Sequence, residues 1–177
     1  MEEPRVATAI RVGTGYDVHR LVPGRPLMLG GVRVEYTLGL EGHSDADVLL
    51  HAIMDALLGA AGLGDIGCQF PPEDERYRDA PSLDLLDAVR RLLEQRGWRV
   101  LNVDATLVAE RPKISPYLPA MKRAVAKVLD ITEGQVGIKA TTNEGMGFVG
   151  RGEGMAAVAV ALLVGDKAKD LEEQLGA

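Results

Sequence analysis

The sequence predicts a single α/β (α+β) domain. Strand-like and helix-like segments alternate along the chain, no internal repeat interrupts them, and no change in composition marks a domain boundary. The 177 residues are enough for one hydrophobic core and few for two. We therefore treat residues 1–177 as one domain, of which about 166–177 form a charged C-terminal tail.

The first segments have the pattern of β-structure. RVATAIRVGTGYDVH (5–19) is rich in apolar and β-branched residues, and its glycines predict a turn at the end of a strand. Two short apolar runs then flank Gly30 and Gly31 in PLMLGGVRVEY (26–36). This arrangement predicts a β-hairpin.

The clearest predicted helix lies in HSDADVLLHAIMDALLGAAGLGD (43–65). Ser44 is a candidate N-cap, Asp45 and Asp47 favour the first turn, and glycines end the helix. The helix is apolar on most faces, so we expect it to be packed on both sides.

The remaining segments alternate between helix and strand. Residues 64–82, rich in turn formers and charge, predict a binding loop or lid. The next segment predicts an amphipathic helix ending near Gly97, with an apolar face of Leu85, Leu86, Val89, Leu92 and Leu93. Residues 99–110 and 135–142 predict strands, 115–130 a helix, and 155–164 either a strand or a helix; a solvated helix end is expected in the tail.

Composition excludes several classes of function. The net charge of −6 comes without a basic stripe, so nucleic-acid binding is not expected. A lone cysteine, Cys68, excludes a disulfide framework and a thiolate-rich zinc site. With no apolar run long enough for a membrane span and no N-terminal signal pattern, we expect a cytoplasmic protein that does not bind membranes.

An acid and three histidines are the first candidates for chemistry. If the strand continues through Asp17 and His19, both side chains point to one face and can share a cation such as zinc. His43 and His51 lie roughly 12 Å apart along a helix, too far to bind one ion together. We assign His51 to the metal, oriented by Asp47, and His43 to phosphate at the helix N-terminus.

Each of these assignments has a plainer alternative. Asp17 and His19 also fit a capped turn with a surface histidine. His51 also fits a core histidine whose ring is satisfied by Asp47 or Asp55.

The glycine-rich segment KATTNEGMGFVGRGEG (139–154) contains G-x-G-x-x-G, but the residues after this motif lack the pattern of the capped helix found in a dinucleotide site. Thr141 and Thr142 can donate to phosphoryl oxygens, and Glu144 can bind a divalent cation. Arg151 can pair with phosphate or with Glu153. Elsewhere, Lys113 fits either a ligand-gripping loop or an exposed turn, and Asp65 either a ribose contact or a turn.

Five segments together resemble the 2-C-methyl-D-erythritol 2,4-cyclodiphosphate synthase family of the non-mevalonate isoprenoid pathway. They are GTGYDVH, LGGV, HSDADVLLHAIMDALLGAAGLGDIG, NVDATLVAERPK and KATTNEGMGFVGRGEG, in the family's order and spacing. The resemblance runs from about Val12 to Val164, and the long helix and glycine-rich segments are highly specific. Relative to the family, residues 1–10 are an N-terminal extension.

The resemblance implies roles by position. Asp17, His19 and His51 would bind one Zn²⁺ per protomer, and Glu144 a Mg²⁺ or Mn²⁺ ion bridging the substrate diphosphate. His43 and Thr142 match the groups that stabilise the transition state. The implied substrate-binding residues are Asp17, His19, His43, Ser44, Asp65, Ile66, Gly67, Phe70, Asp74, Ala109, Pro112, Lys113, Ile114, Ser115, Thr141, Thr142, Glu144, Phe148 and Arg151. Of these, Asp65 to Gly67 match ribose contacts, and Ala109 to Ser115 the cytosine pocket.

The sequence departs from the family at two places near these residues. Pro72 stands where the family usually carries an aspartate that contacts the erythritol end of the substrate, and Glu73 or Asp74 can substitute for it. Asn143 replaces a common threonine and leaves the flanking Thr142 and Glu144 intact.

The implied activity is that of a lyase. It closes 4-diphosphocytidyl-2-C-methyl-D-erythritol 2-phosphate to the cyclic diphosphate and releases CMP. The family also implies a homotrimer, with mixed sheets covered by helices on one face, packed around a threefold axis, and active sites between protomers. Two other functions remain open from the sequence: a dinucleotide-dependent oxidoreductase, and a protein that only binds nucleotide or isoprenoid diphosphate.

Overall fold

The computed structural model describes residues 10–71, 74–77 and 79–165. Apart from Ile10, the predicted extension 1–10 and tail 166–177 lie outside this range, as do Pro72 and Glu73. The strands are β1 (Ile10–Pro23), β2 (Leu27–Leu29), β3 (Val32–Val34), β4 (Leu38–Leu40), β5 (Trp98–Val108), β6 (Val136–Thr141) and β7 (Gly154–Gly165). The α-helices are α1 (Val48–Ala61), α2 (Ile66–Gln69), α3 (Ser82–Gln95), α4 (Leu118–Leu129) and α5 (Gly147–Gly150), with 3₁₀ turns at Glu75–Tyr77 and Glu133–Gln135.

Five of the strands form one mixed sheet in the order β4-β1-β7-β5-β6. Strand β7 lies at its centre, antiparallel to β1 on one side and to β5 on the other, and β5 and β6 run parallel. The predicted single domain with a mixed sheet and helices is therefore confirmed. Residues 155–164, which the sequence left open between strand and helix, form most of β7.

The turn predicted at Gly13 and Gly15 is wrong. Both glycines lie inside the continuous strand β1, paired with Ala161 and Ala159 of β7. A Cβ atom at Gly13 would lie 2.0 Å from the carbonyl oxygen of Ala56, and one at Gly15 equally close to that of Ala52. The two glycines therefore let β1 pack directly against the backbone of helix α1.

Helix α1 begins one turn later than its predicted cap. Its N-cap is Asp47, whose carboxylate accepts from Leu50 N at 3.1 Å, so Ser44 is not the cap. The same carboxylate accepts from the amides of Gly30 and Gly31 at 2.9 and 2.7 Å, and so joins the helix to the predicted β2–β3 hairpin. As predicted, the helix ends at a glycine, Gly62 in the left-handed conformation.

Helix α1 is the centre of the core. Twelve of its fourteen residues are buried, in agreement with the prediction that it is packed on both sides. One side lies against β1 and β7, and the other against α3. Four of the five predicted apolar residues of α3 are buried, and Leu92 packs at the edge of the core.

The helices cover one face of the sheet and leave the other open. Along β1 and β7, alternate side chains on the open face are apolar and exposed; they are Ile10, Val12, Tyr16, Val18, Val158 and Val160. Such a contiguous apolar surface is typical of an interface. Among the described residues, no helix combines the length and the apolar composition needed to cross a membrane.

Candidate active site

One carboxylate and two imidazoles meet where β1 packs on α1. Asp17 Oδ2 lies 2.9 Å from His19 Nε2 and 3.0 Å from His51 Nδ1, and the two histidine nitrogens are 3.0 Å apart. Asp17 and His19 point to the same face of β1 because side chains two residues apart share a face. The structure thus brings together the three residues assigned to the metal.

The close contact between strand and helix accounts for this meeting. Gly13, Gly15, Asp17 and His19 all point toward α1, and Ala52, which Gly15 contacts, is the residue next to His51. A larger residue at Gly15 would therefore separate His51 on the helix from Asp17 and His19 on the strand.

The other nitrogens of the two rings are also engaged. His19 Nδ1 donates to the carbonyl oxygen of Glu41 at 2.6 Å, which leaves Nε2 free to bind an ion. His51 Nε2 lies 3.1 Å from Ser44 Oγ and 3.2 Å from Ser82 Oγ. It is these serines, rather than Asp47 or Asp55, that contact the ring of His51.

The predicted orientation of His51 by Asp47 is wrong for this reason. The Asp47 carboxylate caps α1 and binds the hairpin instead. The carboxylate of Asp55, the other candidate partner, accepts from Ile66 N at 2.9 Å. The alternative of a core histidine satisfied by either acid therefore has no contact to support it.

Within the triad, Asp17 and His19 shift each other's pKa. Burial alone would raise the pKa of Asp17, but its hydrogen bonds to His19 and His51 outweigh burial and hold it well below its usual range. Burial alone would lower the pKa of His19, but the hydrogen bond and charge of Asp17 raise it above its usual value. One oxygen and two nitrogen donors form a set that suits a divalent cation such as zinc.

A cavity of about 240 Å³ opens beside the triad. Its lining includes five other residues predicted to contact substrate, namely His43, Ser44, Ile66, Gly67 and Phe70. Two other lining residues, Tyr77 and Leu85, are not among the predicted site residues. Tyr77 packs edge-on against Phe70 at 5.2 Å, and nothing local in the sequence signals that contact. Leu85 belongs to the apolar face of α3, which the sequence marks only as core.

Asp65 and Asp74 are also predicted to contact substrate, but neither lines this cavity. Asp65 caps α2 by accepting from Cys68 N at 2.9 Å, and the carboxylate of Asp74 pairs with Arg76 at 2.6 Å. Their predicted roles toward ribose and the erythritol end therefore stay predictions.

A second cavity, of about 410 Å³, lies at the carboxyl ends of the parallel strands β5 and β6. Ala109 N donates to Thr141 O at 2.9 Å and joins the two strand ends. Ala109, Pro112, Lys113, Ile114, Ser115, Thr141 and Thr142 all line this cavity. The residues predicted for the cytosine pocket are thus together, beside two predicted phosphate contacts.

The two cavities share no lining residue, so this chain holds the predicted site in two separate parts. His43 lines the first cavity and Thr142 the second. Thr142 Oγ1 donates to Glu144 Oε1 at 3.0 Å, which places the predicted cation ligand beside the second cavity.

Two further residues surround the loop after β6. The carboxylate of Glu110 accepts from the amides of Asn143 and Gly145 at 2.8 and 3.3 Å, a role that no sequence pattern indicates. Arg151 pairs with Glu153 at 2.6 Å, the structural alternative to a phosphate contact, and Phe148 is exposed. The G-x-G-x-x-G motif leads through a single helical turn into β7, so it opens no βαβ unit.

Comparison with known proteins shows the class to which this fold and site belong. Residues 10–164 match the model of the YgbB family. A 2-C-methyl-D-erythritol 2,4-cyclodiphosphate synthase of Symbiobacterium thermophilum is 65% identical over 154 residues, which cover 87% of this chain and 98% of the relative. One from Synechococcus elongatus is 60% identical over 156 residues, covering 88% and 98%.

Solved structures agree with these relatives. The IspF of Plasmodium falciparum, solved as a CDP complex, has a TM-score of 0.78 at 33% identity, covering 89% of this chain and 97% of its own. The bifunctional IspDF of Campylobacter jejuni has a TM-score of 0.86 at 42% identity. The match covers 90% of this chain but only 43% of the bifunctional one. The chain therefore belongs to the YgbB family, the family of the cyclodiphosphate synthases.

Proposed function

We propose that this enzyme converts 4-diphosphocytidyl-2-C-methyl-D-erythritol 2-phosphate to 2-C-methyl-D-erythritol 2,4-cyclodiphosphate and CMP. The observation that carries the proposal is the triad of Asp17, His19 and His51 opening onto a cavity with His43 and Ser44. The 65% identity with a synthase of this name supports the same conclusion.

The substrate brings its own nucleophile. An oxygen of its 2-phosphate attacks the β-phosphorus, which forms the new P–O–P bond of the ring, and the bond from that phosphorus to the bridging oxygen breaks. CMP leaves with that oxygen, so atoms and charge balance without a protein nucleophile. The protein has to hold a flexible chain in line and stabilise the charge that develops.

His43 and Thr142 are the residues we assign to that stabilisation. The imidazole of His43 and the hydroxyl of Thr142 would donate to phosphoryl oxygens in the transition state, and Ser44, Thr141 and Arg151 would hold the phosphates, with Phe148 nearby. To bind phosphate, Arg151 has to leave its ion pair with Glu153, and this ion pair is exposed to solvent. Exposed ion pairs contribute little free energy, so substrate phosphate can displace this one.

Two divalent cations complete the proposed site. Asp17, His19 and His51 would hold one Zn²⁺ per protomer, and Glu144 would hold a Mg²⁺ or Mn²⁺ ion that acts on the substrate diphosphate. Bound there, the cations would neutralise and orient the phosphates. The chain carries a net charge of −6, so cations would also offset its repulsion of a polyanionic substrate.

We further propose a cytoplasmic homotrimer in which the first cavity of one protomer faces the second cavity of its neighbour. The open sheet face supports assembly, since Val12 and Tyr16 on it are 62% and 57% exposed in the protomer. The residues predicted to bind cytosine and the triad line different cavities of one chain. This division supports an active site that lies between two protomers. Asp65, Ile66, Gly67, Phe70 and Asp74 would close over the substrate.

Turnover tests the proposal directly. We expect purified protein supplied with zinc and magnesium to release CMP from the cytidylyl substrate, and ³¹P NMR to show the cyclic diphosphate in equal amount. His43→Ala is the matched variant, expected to bind zinc and turn over slowly. Binding of CDP without any release of CMP would instead make the chain a nucleotide-binding protein and overturn the proposal.

A further inference from the structure

A buried serine links the helical histidine of the triad to a carboxylate outside it. Ser82, the first residue of α3, has no exposed surface, and its Oγ lies 3.2 Å from His51 Nε2. The same hydroxyl donates to Asp45 Oδ1. Because that proton is committed to Asp45, the serine oxygen is left to accept a hydrogen bond from the ring.

The carboxylate of Asp45 is itself fixed. Its Oδ2 accepts from Ser82 N at 3.0 Å and its Oδ1 from Asp47 N at 3.3 Å, while Asp45 N donates to the carbonyl oxygen of Ala80 at 3.2 Å. Asp45 therefore joins the start of α3 to the segment before α1. These contacts hold the Asp45 carboxylate in one place, so it is not a side chain that moves freely in solvent.

Ser44 also lies near His51 Nε2, but its surroundings differ. Its Oγ already accepts from Ala46 N at 3.2 Å, and Ser44 lines the cavity, where we assign it to substrate phosphate. Ser82 is not among the residues that line that cavity. Of the two hydroxyls, only that of Ser82 is backed by a carboxylate.

We propose that Ser82 and Asp45 are positioning residues for the metal site, and that they orient His51 through a hydrogen-bonded relay. His51 Nε2–H donates to Ser82 Oγ, whose proton lies toward Asp45, so the lone pair of Nδ1 points at Asp17 and His19. A carboxylate commonly holds a metal-bound histidine directly; here a serine stands between them. This inference rests on the proposed metal site, which it deepens.

Zinc affinity is the quantity to measure, by competition with a chromophoric chelator on the full chain. We expect Ser82→Ala and Asp45→Asn each to weaken zinc binding about 10- to 100-fold. Because the two residues act in one relay, the double variant should bind no more weakly than the weaker single variant. Ser44→Ala is the matched control, expected to change zinc affinity less than about threefold while it slows turnover.

A second measurement separates a positioning role from a general loss of stability. Cobalt substituted at the site should show an altered visible spectrum in Ser82→Ala, and thermal unfolding of the metal-free variant should stay close to that of the parent. The amide of Ser82 still binds Asp45 in this variant, so the start of α3 keeps that contact. If the alanine variant does not fold, Ser82→Cys, a poor acceptor of similar size, should weaken zinc binding in the same direction.

The outcomes distinguish this inference from the proposed function. If the parent chain binds zinc and His51→Ala does not, but Ser82→Ala binds as the parent does, the relay is wrong and the metal site stands. The relay is equally wrong if Ser44→Ala weakens zinc binding as much as Ser82→Ala does. If the parent chain binds no zinc at all, the proposed metal site itself fails.

Discussion

Gly15 lies against the backbone of Ala52, so closely that a Cβ atom at Gly15 would be 2.0 Å from the Ala52 carbonyl oxygen. The backbone of a helix cannot yield at one point as a flexible side chain can. The contact therefore sets the distance between β1 and α1, and with it the distance between Asp17 and His51.

We predict that Gly15→Ala lowers the free energy of unfolding by about 3 kcal/mol and also weakens zinc binding, because α1 has to move away from β1. Gly59→Ala on the same helix is the control. Its new Cβ would lie 3.8 Å from Thr14 O, an ordinary contact, and alanine should add about 0.5–1 kcal/mol of helix stability. Urea unfolding and zinc titration of both variants check this, and equal effects would show that the close contact is unimportant.

His51→Ala should remove bound zinc and abolish cyclisation while leaving CDP binding largely intact, since the cytosine residues line the other cavity. His43→Ala should retain zinc and lower kcat about 10²- to 10³-fold, the effect of losing one donor to the transition state. Metal analysis, CDP titration and turnover together measure this contrast. Zinc retained by His51→Ala would contradict the assignment of His51 to the metal and of His43 to phosphate.

The dependence of zinc binding on pH should follow His19. Zinc requires the unprotonated ring, and Asp17 raises the pKa of His19, so affinity should begin to fall already above the ordinary histidine pKa of 6.5. Below the raised pKa, each pH unit should cost about tenfold in affinity. Competition titrations across this range measure the slope, and an affinity that stays constant there would contradict the raised pKa.

The metal-free protein should show the opposite trend. The His19–Asp17 interaction stabilises the fold fully below pH 6.5, and this contribution is lost as pH rises through the raised pKa of His19. The contribution of Asp17 is present above its ordinary pKa of 3.8 and is lost as pH falls through its depressed value. The His19–Asp17 pair should therefore make the metal-free protein more stable in mild acid than in mild alkali. Thermal unfolding of chelator-treated protein measures this difference.

Asp47→Ala should reduce stability strongly. The variant would leave the amides of Gly30, Gly31 and Leu50 without their acceptor, at a site with no exposed surface around the carboxylate. We expect a loss on the order of 3 kcal/mol, and a smaller one for Asp47→Asn, which keeps one oxygen. Urea unfolding measures both, and a change below about 0.5 kcal/mol would place Asp47 with ordinary surface residues.

A charge on the open sheet face should prevent assembly without unfolding the protomer. Val160 is 41% exposed at the centre of that face, so Val160→Asp would place a carboxylate in the interface of the proposed trimer and should give monomers. Arg123→Asp, on an exposed position of α4, is the control and should leave assembly unchanged. Sedimentation velocity distinguishes the two; a monomeric parent chain would disprove the trimer itself.

Local patterns were enough to predict much of the fold. The glycine pair of the β2–β3 hairpin, the terminal glycine and apolar run of α1 and the periodic leucines of α3 each depend on neighbours in sequence. The meeting of Asp17, His19 and His51 was also predictable, because strand alternation pairs Asp17 with His19 and a histidine on an apolar helix needs a polar partner.

The wrong predictions depend on contacts distant in sequence. Gly13 and Gly15 have the composition of a turn, and only the approach of α1 shows why a strand needs glycine there. Likewise, Ser44 fits the local pattern of an N-cap, whereas the hairpin amides that bind the actual cap, Asp47, lie 16 and 17 residues away from it. Ser82, 31 residues from His51, carries no local signal at all.

The pairing of β1 with β7 has a consequence for refolding experiments. Asp17 lies opposite Ala157 and His19 opposite Met155, on the face that α1 covers. A slip of one residue would turn both side chains to the far side of the sheet, away from His51. With zinc at the proposed site, zinc binding would report the correct register of β1 against β7. The fraction of refolded chains that bind the ion should then equal the fraction with native strand pairing.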